Sequence, residues 1–165
     1  MIADYEPMAC HIETERLLLR PWADPDIDAY RTLVTERGGE MPSIENIRER
    51  IASQRSATAR TGIALLATVR RAEGDVIGYC GLIVGRSSVD EPEIAFELMR
   101  HAHGVGYATE AARAVVDAAA ATGRSRLWAT VGVWNTPSFR VLEKLGFESH
   151  HSSNDELVWL TRAIR

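Results

Sequence analysis

The chain has little of what would move it out of the ordinary globular class. Cysteine occurs only at Cys10 and Cys80, too few and too far apart for a disulfide framework or a thiolate metal site. No apolar run approaches the roughly 18–20 residues that cross a bilayer. The opening MIADYEPMACHIETERL has neither the basic nor the apolar stretch of a secretion signal. A soluble, cytoplasmic protein with reduced thiols and no bound metal is therefore expected. Basic residues are not in excess: 19 Lys and Arg stand against 23 Asp and Glu, a formal net charge of −4. That balance argues against nucleic acid or an anionic membrane as the main partner. Repeats, low-complexity linkers and shifts of composition are missing too. The 165 residues read as one domain over 1–165, with 1–12 a loosely ordered extension.

What is present is a mixed α+β pattern. Leu17–Trp22 reads as a first strand stopped near Pro21. Asp24-Pro25 sets a capping carboxylate before a proline at the first helical position, and that helix runs to Glu36. Ser43 caps a second helix through Arg60. Ile63–Arg70 and Val76–Val84 flank the turn Ala72-Glu73-Gly74-Asp75 as a hairpin. Pro92–Met99 alternates Ile94, Phe96 and Leu98 against Glu93, Ala95 and Glu97. A helix from Gly106 to Thr122 follows, with Ala108, Ala111, Ala112, Val115 and Ala119 on one face. Its small side chains let it lie close on a sheet. Leu127–Val133 is the next strand, Pro137 opens a short helix closed by Gly146, and Phe147–Ile164 holds a last strand pair. One parallel crossover is expected, around the long alanine-rich helix.

The stretch that carries functional information is RHAHGVGYATEA, from Arg100 to Ala111. Gly104 and Gly106 leave no Cβ between a ligand and the main-chain N–H groups, which join the unpaired donors of the helix's first turn in a site suited to an anion. A plain strand-to-helix turn uses the same residues. A dinucleotide site also competes, but it wants a third small residue where Thr109 stands and an acidic residue some 20 positions on. The diphosphate of coenzyme A is the third possibility.

Four segments, in order along nearly the whole chain, resemble the GNAT acyltransferase superfamily. His101-Ala102-His103-Gly104-Val105-Gly106 occupies the place of its Q/R-x-x-G-x-G/A motif. Gly106-Tyr107-Ala108-Thr109-Glu110-Ala111 is similar to the GYATEA of the RimJ/RimL-type ribosomal-protein N-acetyltransferases. Glu93–Leu98 and Thr14–Arg20 resemble that branch's preceding strand and its opening, and Asn135–Phe147 resembles its N-x-x-S…KLGF segment. The resemblance implies the GNAT fold: about seven mostly antiparallel strands flanked by about four helices, with two central parallel strands splayed apart. It implies acetyl transfer from acetyl-CoA to a primary amine, a protein N-terminus or a small molecule, by direct attack in a ternary complex. An inactive acyl-CoA sensor of the same fold is the alternative. A homodimer is compatible with the sequence.

By the same resemblance, Leu98, Met99, Arg100, His101, Gly104, Val105, Gly106, Tyr107, Ala108, Thr109, Asn135 and Ser138 contact the cofactor. His101 stands where Gln or Arg is usual, and Val105 where a cation is frequent. Ser138 shares a helix face with Val141, Leu142 and Leu145 and is expected to act as a donor near the thioester sulfur, or to orient the pantetheine. The tyrosine that other branches carry is replaced by Leu142. Glu97 is the expected base, with Glu93 and His101 as lesser candidates. Glu36 and Glu40, in the glycine-rich connection Glu36–Pro42, suit a cationic acceptor.

Overall fold

The computed structural model describes residues 4–152 and 155–165. Its elements are β1 (Ile12–Glu13), β2 (Leu17–Arg20), α1 (Ile27–Glu36), α2 (Ile44–Thr61), β3 (Leu65–Arg70), β4 (Val76–Ile83), β5 (Glu93–Leu98), α3 (Tyr107–Ala121), β6 (Arg126–Gly132), α4 (Thr136–Lys144), β7 (Glu148–Ser152) and β8 (Leu157–Ala163). The strands form a single sheet in the order β1-β2-β3-β4-β5-β6-β8-β7. Eight strands stand where about seven are expected, because the two-residue β1 pairs with β2. Every neighbouring pair is antiparallel except β5–β6.

The alternation of each strand sorts its side chains between two layers. Leu17, Leu19, Ile77, Cys80, Leu82, Ile94, Leu127, Ala129 and Leu160 form one core with α3 and α4. Ala111, Ala112, Val115 and Ala119 of α3 are fully buried there, as the small-residue stripe requires. The second core, under α1 and α2, gathers Trp22, Ile27, Tyr30, Ile47, Ile51 and Ala67, with Val76 and Tyr79 packed against it. Each fully buried Leu or Ile contributes about 1.5–3 kcal/mol relative to exposure.

Ser43 caps α2 as expected, its Oγ accepting from Asn46 N–H at 3.0 Å. The start of α1 differs. Asp24–Asp26 is a turn of 3₁₀ helix, and it is Asp26, not Asp24, whose carboxylate accepts from Ala23 N–H at 2.9 Å. Asp26 also takes a two-point bond from Arg20, at 2.7 and 2.9 Å, a geometry that only one of the two carboxylates can reach. Residues 4–11 are bonded to the rest of the domain. Glu6 N–H donates to Thr122 O and Met8 N–H to Gly62 O. Met8 is buried, and the ring of Tyr5 lies 4.4 Å from the guanidinium carbon of buried Arg124. Arg124 in turn donates to Val89 O at 2.8 Å and Thr61 O at 3.3 Å, tying the chain start to the β4–β5 connection. Residues 1–3, and 153–154 between the last two strands, lie outside the described residues.

A bulge breaks the β3–β4 ladder: Thr68 pairs with Gly78 and Val69 with Val76, leaving Ile77 extra. Gly78 has φ +153°, and a Cβ on it would meet Glu97 O at 2.0 Å. Gly78→Ala is expected to lower stability by roughly 1–3 kcal/mol through this overlap with main chain, read as a drop in the urea midpoint at unchanged slope.

Candidate active site

Strands β5 and β6 pair at one register position, Glu93 opposite Trp128, with Trp128 N–H donating to Pro92 O at 3.0 Å. Beyond it they diverge. Strand parity then decides which main-chain groups face the gap. Met99 N–H bonds back to Ile77 O of β4, so Phe96 and Leu98 turn theirs toward β6. By the same parity Thr130 and Gly132 of β6 turn theirs toward β5, the Gly132 carbonyl already accepting from Asn135 N–H at 2.9 Å. The result is a cleft of about 240 Å³, bounded by Tyr79, Ile83, Glu93, Phe96, Thr130, Asn135, Ser138 and Leu142 among others.

This placement narrows the expected set. Leu98 faces the gap, where its carbonyl is met by the His103 ring, Nε2 to O 2.7 Å. Met99 does not, because its N–H is used by β4. Arg100 N–H is bonded to Glu36 Oε2 at 3.0 Å, and its guanidinium to Glu36 O at 2.9 Å. Glu36 thereby ties the end of α1 to the β5–α3 connection. Phe96, which sequence reasoning passed over, takes the place of Met99. The signal was available in the alternation, since one fixed bond sets the direction of every second residue.

At the other end of the cleft the glycines behave as a phosphate cradle would need. Gly104 has φ +80° and Gly106 φ +86°, with open space where a Cβ at Gly104 would stand. Gly106 is the N-cap of α3, and among the described residues no side chain caps that end. The first-turn N–H groups of Tyr107, Ala108 and Thr109 are thus left to an anion. Val105 is exposed, and its carbonyl accepts from Arg16 Nη1 at 2.8 Å. His101 points elsewhere, its Nε2 being 3.7 Å from Asp75 Oδ2.

Arg16 is the cation that the glycine motif itself does not supply. Its Nε bonds Glu110 Oε1 at 2.7 Å, its main-chain N–H bonds Glu110 Oε2 at 2.9 Å, and Thr14 Oγ1 donates to Oε2 at 2.5 Å. The guanidinium carbon lies 4.4 Å from the centre of the Tyr107 ring. A Cβ at Gly106 would be 3.4 Å from Nη2 of Arg16. The Thr14-Glu15-Arg16 and Gly106–Glu110 segments are far apart in sequence and form one clamp.

Ser138 lies at the start of α4, partly buried, with Leu142 and Leu145 buried on the same face. Its N–H donates to Asn135 Oδ1 at 3.3 Å, so Asn135 acts as the helix cap and also lines the cleft. Ser138 and Glu97 are not brought together on one face. Glu97 points to the α1/α2 side, gripped by Arg37 (Nη2 to Oε2 2.6 Å; Nε to Oε1 2.8 Å) and by Tyr79 Oη at 3.1 Å. Burial, then the neighbouring Glu97 charge, pushes the Tyr79 hydroxyl's pKa well up, so it stays a donor. Glu93 differs: it is buried, with no cation within ion-pair distance among the described residues.

A family model for the acetyltransferase (GNAT) domain matches residues 16–148, most of the chain. The chain belongs to the GNAT acetyltransferase family. The uncharacterized N-acetyltransferase p20 of Bacillus licheniformis is 24% identical over 138 residues, covering 83% of this chain and 75% of p20. An acetyltransferase from Agrobacterium tumefaciens has the same fold, with TM-score 0.77, 27% identity, and 92% and 93% of the two chains covered. RimJ of Mycobacterium smegmatis, in complex with CoA-disulfide, superposes with TM-score 0.74 at 19% identity, covering 89% of this chain and 81% of RimJ.

The clamp gives a prediction. Desolvation alone would raise the Glu110 pKa, but the bonds from Thr14 and Arg16 outweigh it and hold the carboxyl below its ordinary range. A depressed carboxyl stabilises the fold above its unfolded-state pKa, and that contribution is lost as pH falls through the folded one. Glu110→Gln should therefore lower the melting temperature at neutral pH. The gap to wild type should close as pH falls below the usual glutamate range, as followed by thermal melts across acid pH.

Proposed function

We propose that the protein is an acetyl-CoA-dependent N-acetyltransferase with motifs like those of the RimJ/RimL branch, transferring acetyl to a primary amine, a protein N-terminus or a small molecule, by direct attack. The observation that carries this reading is the splay itself: two central parallel strands joined at one position, with paired rows of main-chain groups facing each other across a cleft. The cleft leads at one end to an uncapped, glycine-fronted helix. Acetyl-CoA supplies an activated thioester there. The N–H groups from Gly104 to Thr109 hold its diphosphate with Arg16 alongside, which offsets the missing cations at His101 and Val105. Main-chain groups of Phe96 and Leu98 hold the pantetheine arm, the His103 ring giving up Leu98 O in the process.

Within the cleft the Ser138 hydroxyl is the donor facing the sulfur, fixed by the Asn135 cap beneath it. Holding both partners in attack geometry contributes most of the rate, and a donor to the leaving thiolate adds to it. Direct attack is consistent with the thiols present. Cys80 is fully buried, and burial raises the pKa of both cysteines, the opposite of what a nucleophile needs. Glu97 does not serve as the base in this proposal. Its oxygens are taken up by the Arg37 guanidinium and the Tyr79 hydroxyl, and here it fixes the α1–α2 connection to β5.

The test is calorimetric titration with acetyl-CoA, NADH being the control. Saturable binding of acetyl-CoA alone is expected. Gly106→Glu should abolish it while far-UV circular dichroism shows the fold retained, the left-handed backbone costing only about 1–2 kcal/mol. Unchanged affinity in that variant would refute the placement of the site. Ser138→Ala should leave affinity nearly intact and lower turnover on the order of a hundredfold; undiminished turnover would make Ser138 structural.

A further inference from the structure

Glu93 opens β5 on the face opposite the α3/α4 core and is only 2% exposed. Its Oε1 accepts from Thr130 Oγ1 at 2.6 Å, and its Oε2 from the main-chain N–H of Arg86. Gly85 makes room for that turn: it has φ +56°, and a Cβ there would fall 1.7 Å from Oε2. Among the described residues no cation lies within ion-pair distance of Glu93. Yet a cation is close by. Arg86 Nη1 donates to the same Thr130 hydroxyl at 3.3 Å, and the Arg86 guanidinium likewise has no carboxylate partner among the described residues. Thr130 thus stands between two opposite charges that do not meet. All three residues line the cleft.

A buried carboxylate bonded only to neutral donors is costly to maintain. It has acceptor capacity left over, as the guanidinium has donors left over. Resting on the acetyltransferase reading above, we infer that this part of the cleft receives a small zwitterionic amine. Its ammonium sits on Glu93 and its carboxylate on Arg86. The two charges of an amino acid are separated by a single carbon, which suits charges held apart by a single hydroxyl. The acceptor class is therefore the free amino acid or a close relative. A protein N-terminus does not fit, since its adjacent carbonyl is an amide and offers Arg86 no charge.

The transfer balances at this site. The amine nitrogen forms the N–C bond as the C–S bond breaks. Of the three ammonium protons one stays on the amide, one ends on the thiol and one leaves to solvent, with Glu93 beside the nitrogen as it is deprotonated.

Thiol release at saturating acetyl-CoA, measured for free L-amino acids against their methyl esters and C-terminal amides, tests this. The ester's amine is the less basic and more readily deprotonated one, so a preference for the free acid runs against intrinsic reactivity. Wild type should prefer the best free acid by about tenfold or more in kcat/KM, the size of one charged contact. Arg86→Gln, at an exposed position, should collapse that preference toward unity, mainly through KM. Glu93→Gln should lower kcat/KM for every amine. Three results would overturn the acceptor assignment while acetyl-CoA still binds: esters or amides used as well as the acids, no free amino acid acetylated, or a preference undiminished in Arg86→Gln. Failure of acetyl-CoA to bind would overturn the acetyltransferase reading and this inference with it.

Discussion

The structure depends on a ladder that is not completed. Two neighbouring parallel strands ordinarily satisfy each other's main-chain groups along their length, and leaving buried N–H and C=O groups unpaired carries a penalty. Here β5 and β6 join only where Glu93 faces Trp128. The divergence persists because other elements hold each strand on its outer side. β5 is bonded along its length to β4, and β6 to β8. The gap is thus a property of the whole sheet. Its facing rows of donors and acceptors are what an extended, amide-bearing ligand would fill as a missing strand does.

The second constraint is the tie between the chain's beginning and its glycine loop. A left-handed, glycine-rich turn has no preference for one geometry, so something outside it must fix where its N–H groups point. Glu110 does this from the first turn of α3. One carboxylate receives a hydroxyl, a main-chain N–H and a guanidinium from Thr14 and Arg16. The same guanidinium reaches back to Val105 O. A loop with His101 and Val105 in place of more basic residues is thus tied through a single side chain to an arginine, itself paired with Glu110.

Much of this was legible before any coordinates. Helix ends, the hairpin, the crossover and the small-residue face of α3 follow from local chemistry that acts within a few residues. The glycine turn and the Ser138 face follow from the same kind of pattern. Other features depended on contacts between distant segments. Asp26, not Asp24, bonds back to Ala23 and is reached by Arg20, and Tyr5 stacks on Arg124, which nothing in their local composition indicates. The bulge at Ile77 sets which way Tyr79 points. The two glutamates of β5 look alike in sequence, both on its polar face. They differ only in what the fold brings to them, Arg37 from the α1–α2 connection to Glu97, and an N–H and a hydroxyl to Glu93.

That difference carries the chemistry. An ion pair with a bidentate arginine uses a carboxylate's lone pairs, so such a pair adds shape and little reactivity. A carboxylate held by an N–H and a hydroxyl has acceptor capacity left for whatever stands in the space it faces. Glu97 locks a connection in place, whereas Glu93 leaves the cleft with a negative floor beside a separate positive rim at Arg86. In a chain of net negative charge, a surface carboxylate would attract any cation weakly. A buried one at the root of the splay acts at short range, where solvent screening is least, on whatever stands between the strands. On the proposed reading, an amine would be held at the point where β5 and β6 part, so that one divergence would both admit a pantetheine arm and place Glu93 beside the acceptor.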